Sequence, residues 1–229
     1  MYLIALVPTS AMSAAWTAFS GARMATALYL IPANLLFAAF IGLPFIFPLL
    51  MGDAVDVNKL AIIKNILLVF LTPLILGDIT RRLIIRYKGA QVYQNRIKPE
   101  LGGISGLGVL TLIFLVMSLE RNAVLLNNLD VVWIVVVPVV LYYLLMYVLS
   151  VLWGLFLIRR GAMGGEKAVV IIYTSVARHV NICLALVLST FPIESAPLMI
   201  LLLIVSYIIQ VPTLAFFAQH YGKKLAAMA

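Results

Sequence analysis

Seven long apolar blocks, separated by short polar stretches, constrain this chain more than any other feature. They run at roughly residues 2–19, 24–51, 58–79, 103–119, 131–158, 168–191 and 196–219. Roughly 20 apolar residues cross the hydrocarbon of a bilayer as an α-helix, and only helices or closed barrels satisfy the backbone there. Barrel strands alternate in polarity over about ten residues, whereas these runs are continuous. Composition agrees: 65% of the 229 residues are hydrophobic and 10% charged, against about 25% charged in a soluble domain. Mean hydropathy is +1.15. One cysteine and 14 glycines exclude a disulfide scaffold and collagen. The expected fold class is all-α: a polytopic membrane protein with about seven transmembrane helices.

The formal net charge of +8 would suggest nucleic acid in a soluble protein. Here most of the basic residues sit in short loops, where they orient the chain instead, and no nucleic-acid partner is expected. Arg81, Arg82, Arg86, Lys88, Arg96 and Lys98 crowd one loop, Arg159, Arg160 and Lys167 another, and Lys223 and Lys224 the tail. The intervening loops are poor in base, with Asp53 and Asp56, then Glu120, Arg121 and Asp130, then Glu194. The positive-inside rule puts 20–23, 80–100, 159–167 and the C-terminus in the cytoplasm. Seven spans then leave Met1 outside a cell membrane, with no basic n-region to mark a cleavable signal. The expected organisation is three spans over 1–79, a basic cytoplasmic loop over 80–102, and four spans over 103–229.

Two blocks are interrupted by more than an isolated proline. Pro8-Thr9-Ser10-Ala11-Met12-Ser13-Ala14-Ala15-Trp16-Thr17 crowds small and hydroxylated residues where Leu and Val would be expected. Such a stretch either packs helices closely or bonds freed backbone and ligand. Thr174-Ser175-Val176-Ala177-Arg178-His179-Val180-Asn181 lies in the middle of the sixth block. An arginine at that depth costs from ~2.5 to more than 10 kcal/mol depending on the scale. The cluster reads as a functional site facing the protein interior, or as a cation capping carbonyls of a broken neighbour. Each interrupted block precedes a long, proline-containing one, an arrangement expected of two related units whose broken helices meet near the midplane.

At these segments the chain resembles the bile acid:sodium symporter superfamily, including its arsenite permease branch. Val7–Gly21, VPTSAMSAAWTAFSG, is similar to that branch's Pro-Cys-Thr-Ala-Met…Trp-Thr…Gly signature, and Asn34-Leu35-Leu36 to its Asn-x-Leu-Leu element. Thr174–Pro192 resembles the family's second crossover, an Ala-Arg-Asn or Gln-Asn motif before a Leu/Ala run. The resemblance implies a partial inverted-repeat fold in which this chain supplies helices four to ten, with the fourth and ninth unwound and crossing and the first three absent. That accords with an outside Met1.

The departures are chemical. Thr9 stands where the arsenite branch has cysteine, the soft ligand for trivalent arsenic. Ser13-Ala14 replaces the Ser-Asn of the sodium-coupled branch, Thr174 its Glu, and Arg178-His179 its Gln-Asn. Sodium wants hard oxygen ligands, so Arg178 is expected to stand in for the cation. The resulting expectation is a secondary transporter that moves a small anionic or metalloid solute, an organic anion or arsenite-like, by alternating access without sodium coupling. Its substrate-binding residues would be Thr9, Ser10, Ser13, Asn34, Thr174, Arg178, His179 and Asn181, with His179 as carrier of a coupling proton. Should Arg178 instead pair with an internal acid, Asp78 and Glu166 are the candidates. No cofactor or metal is expected. The partners are the solute and the bilayer, with a homodimer or a separate chain supplying the missing helices as further expectations.

The alternative is a non-transporting relic or a membrane interaction subunit. An enzyme is not expected: the only histidines are His179 and His220, and no paired aspartates or metal motif lie within a span. Gly102, Gly103, Gly106 and Gly108 read as helix packing, since no phosphate-loop lysine follows. Tyr142, Tyr143, Tyr147 and Trp153 read as packing residues and interfacial anchors. The run Arg81–Lys98 reads as a topology determinant with added contact to anionic lipid.

Overall fold

The computed structural model describes residues 1–51, 59–98, 129–191 and 196–228, with isolated positions between 100 and 114. All regular elements among them are helical. Much of the fourth expected block, with Gly102, Gly103 and Gly106, lies outside the described residues. The chain opens with α1 (Tyr2–Leu6) and α2 (Met12–Phe19), two halves of one interrupted helix. A long helix follows: α3 (Met24–Phe37), a π-helical stretch over Ala38–Ile46 and α4 (Phe47–Met51). Next come α5 (Lys59–Lys88), a short α6 (Ala90–Val92) and α7 (Leu129–Arg159). The second interrupted helix is α8 (Gly165–Val176) and α9 (Val180–Thr190). It is followed by α10 (Ala196–Phe217), a π-helical stretch over Ala218–Gly222 and α11 (Lys223–Ala226).

The all-α polytopic expectation holds. Among the described residues three helices are long and apolar enough to cross a membrane, at Met24–Leu50, Trp133–Arg159 and Leu198–Ala226. Both units share one pattern: a broken helix, then a long helix that widens into π-helical turns. Pro44 sits inside the first widening, where its missing N–H frees a carbonyl one turn back. Pro32, Pro73, Pro138 and Pro212 lie within continuous helices, as lipid-embedded helices tolerate. Among the described residues, Pro8 alone marks a break within an interrupted helix.

The basic segment at 80–102 departs from the expectation of a loop. Helix α5 continues to Lys88, and Ala90–Ile97 is helical again after a turn at Gly89. Nothing between Asp78 and Lys88 breaks a helix, and Asp78 and Arg82 pair across one turn at 2.7 Å, a spacing that supports helix outside the membrane.

Buried side chains form two clusters. One gathers Ile4, Val7, Leu43, Phe47, Cys183, Val187 and Ile200. The other gathers Val139, Tyr143, Val169, Ile172, Tyr173, Val176 and Leu214. The two breaks lie where these clusters meet, and Tyr142 and Leu202 pack against both. At the far end of α8, the Gly165 N–H donates to the Met228 carbonyl at 2.8 Å. Nearby, Ser20 Oγ and the Tyr173 hydroxyl hydrogen-bond to each other. Gly222 lies directly over that pair, leaving no space for a β-carbon. These contacts tie α11 to the ends of both broken helices.

Candidate functional site

The break after α1 is written locally. Val7 is extended, with φ −65° and ψ 151°, the conformation a following proline imposes. The break after α8 has no proline. Ala177 is extended, with φ −72° and ψ 97°, because partners elsewhere in the fold take up its backbone groups.

Those partners come first from the other break. Thr9 and Arg178 form an isolated antiparallel bridge. The Ser10 N–H donates to the Ala177 carbonyl at 2.7 Å, and the His179 N–H to the Pro8 carbonyl at 3.0 Å. The Thr9 hydroxyl donates to the Ala177 carbonyl at 3.0 Å. The two interrupted helices thus cross and satisfy each other's backbone, as polar groups in a membrane interior require.

A third helix completes the arrangement. Gln210 Oε1 accepts from the Arg178 N–H at 2.7 Å, and Gln210 Nε2 donates to the Arg178 carbonyl at 3.2 Å. The Tyr143 hydroxyl donates to the same Oε1 at 3.0 Å. Gln210 and Tyr143 are each only 1% exposed. Sequence reasoning missed both. A lone glutamine among the Leu, Ile and Val of α10 was the available signal, since an amide at that depth needs partners. Tyr143 is no interfacial anchor, as its burial shows, and Tyr147 donates to Thr213 Oγ1 at 3.3 Å.

Most of the expected hydroxyls are engaged with backbone. Ser10 Oγ accepts from the Met12 N–H at 3.3 Å in the turn that leads into α2. Ser13 donates to the Ser10 carbonyl at 2.7 Å. Thr174 donates to the carbonyls of Val170 and Ile171 at 2.9 and 3.1 Å. Thr9, Ser10, Arg178 and His179 are brought together at the crossing, with Ser13 and Thr174 within the adjoining turns. Asn34 is half-buried on α3 and Asn181 exposed on the first turn of α9. Neither side chain hydrogen-bonds to the crossing among the described residues.

The Arg178 guanidinium is differently placed. Its Nη1 reaches the Val7 carbonyl at 3.4 Å, a long bond that partly fulfils the capping role. Its Nε and the Tyr142 hydroxyl are each buried without a well-formed hydrogen bond among the described residues, and the two side chains lie beside each other. Asp78 is paired with Arg82 and Glu166 is exposed at the start of α8, so neither neutralises Arg178. Indeed residues 1–52 and 167–193, which hold both breaks, contain no Asp or Glu. The N-termini of α2 and α9 meet at the same place and add partial positive charge. A cavity of about 460 Å³ lined by Trp16, Phe19, Ala218 and Lys223 does not include Arg178.

The model of the sodium bile acid symporter family matches residues 1–127. The chain belongs to that family. No curated protein and no solved structure gives a match. As a sodium bile acid symporter family member it is a membrane transporter of that superfamily. The matched stretch contains the first break, Asn34 and α5. The second break lies beyond it, and its equivalence rests on geometry: it is the backbone that Thr9 and Ser10 bind.

Proposed function

We propose that the chain is a secondary transporter for a small anionic solute, working by alternating access at the crossing of its two broken helices and independent of sodium. One observation carries this reading. The crossing holds an arginine whose buried Nε has no well-formed hydrogen bond among the described residues, in segments without a single carboxylate. A half-buried guanidinium with no carboxylate beside it among the described residues is costly, and an oxyanion is the ligand that a planar, always-charged donor group favours. A sodium ion in the same place would meet like charge and no hard anionic ligand.

The remaining assignments follow from position. Arg178 binds the solute, Thr9 and Ser10 shape the backbone beside it, and His179, half-buried in the second break, is the group suited to exchange a proton during the cycle. The solute class favoured is an oxyanion over a neutral metalloid, since Thr9 occupies the position of a soft thiol ligand.

The test is uptake and efflux by vesicles containing the purified chain, using organic anions and arsenite, with and without sodium or a pH gradient. Anion transport that ignores sodium and is lost in Arg178→Ala is the expected result. Sodium-dependent transport that survives Arg178→Ala would overturn it.

A further inference from the structure

The end of α5 has a two-faced surface outside the apolar run. Past Gly77 the helix continues from Asp78 to Lys88, a further 16 Å or so at the helical rise. Ile79, Leu83 and Tyr87, spaced by four, form an apolar stripe that is 49%, 47% and 81% exposed. Arg81 and Lys88, seven apart, lie across the helix from it, and Arg82 and Arg86, four apart, flank its Ile79 edge. Asp78 pairs with Arg82, but both side chains are largely exposed, and such a pair offsets little charge. Arg81, Arg86 and Lys88 have no acidic partner among the described residues. Gly89, at φ +83°, then turns the chain into a second exposed helical stretch carrying Arg96 and Lys98.

We propose that this end of α5 and the turn at Gly89 form a cationic, amphipathic surface that docks on the anionic phospholipid headgroups of the leaflet where α5 emerges. Water alone suits the arginines but not the apolar stripe. The boundary between headgroups and acyl chains suits both at once. Charge complementarity selects anionic lipid, because each cation close to such a surface raises binding about fivefold and the attraction fades beyond a Debye length.

The test places an environment-sensitive fluorophore at Tyr87→Cys in a Cys183→Ser background, in nanodiscs of phosphatidylcholine alone or mixed with phosphatidylglycerol. Quenching by neutral acrylamide reports exposure to water. The expected result is strong protection only in the anionic discs, removed by high salt. The triple variant Arg81→Gln, Arg86→Gln, Lys88→Gln should lower docking on the order of 100-fold and restore quenching to the level seen in neutral lipid. Unchanged thermal stability of that variant separates lost docking from misfolding. Equal quenching in the two lipids, or protection that survives the triple variant with its fold intact, would overturn the proposal.

Discussion

Gln210 grips the peptide of Arg178 on both sides, accepting from its N–H at 2.7 Å and donating to its carbonyl at 3.2 Å, while the guanidinium Nε stays without a well-formed hydrogen bond among the described residues. The fold holds this arginine by its backbone and leaves much of its charge uncommitted. On the proposed reading, stability and solute binding at the crossing reside in different residues, and mutation can separate the two.

Gln210→Leu should be severe. It leaves the Arg178 N–H without its acceptor, at about 1–3 kcal/mol, and takes one bond each from the Arg178 carbonyl, which keeps the Val180 N–H, and from the Tyr143 hydroxyl. Tyr143→Phe removes one bond and should cost about 1 kcal/mol. Thermal unfolding of the purified chain in detergent checks the order, with Gln210→Leu far below Tyr143→Phe.

Arg178→Ala should behave in the opposite way. The side chain has one long hydrogen bond among the described residues, to the Val7 carbonyl, and lies beside the Tyr142 hydroxyl, so stability should change little when this unpaired charge leaves the half-buried crossing. Anion transport should fall by 100-fold or more, equivalent to about 2.7 kcal/mol or above. Parallel melting and flux measurements decide it.

Thr9→Val and Thr174→Val make a matched pair. Thr9 bonds across the crossing to Ala177, whereas Thr174 bonds back within its own helix, a contact that adds little to stability. The first should cost about 1 kcal/mol and the second almost nothing, in the same melting assay.

Gly165→Ala and Gly222→Ala should loosen α11. At Gly165 the added β-carbon meets the backbone carbonyls of Leu225 and Met228, and at Gly222 the Ser20 and Tyr173 hydroxyls. Overpacking of this kind costs about 1–3 kcal/mol. Ser20→Ala should partly rescue Gly222→Ala but not Gly165→Ala, because backbone cannot be trimmed. Limited proteolysis of the C-terminal segment gives the readout.

Several of these features were legible in the sequence. Uninterrupted apolar runs can only be membrane helices, and Pro8 announces its own break because the residue before a proline is driven extended. The Arg178 cluster stood out through the energetic cost of charge at that depth. What could not be read was which hydroxyls remain available for a solute. Thr9, Ser10, Ser13 and Thr174 look alike as candidates, yet each is bound to backbone. The role of Gln210 was hidden for a different reason: the glutamine stands out in an apolar helix, but its partner lies 32 positions away, and no helical periodicity links them. The basic run after Asp78 was read as a loop from composition, but it holds no helix breaker before Gly89 and α5 continues through it to Lys88.

The mutual pairing of the two breaks also sets an order on assembly. When the first interrupted helix leaves the ribosome, the backbone that will bond Pro8 and Ser10 does not yet exist, for it belongs to Ala177 and His179. The first break therefore cannot meet its native partners until well over half the chain has been synthesised. Only when α8 and α9 arrive can either half close. Gln210, which braces the crossing, arrives later still. Every contact that secures the crossing acts as a checkpoint on complete insertion.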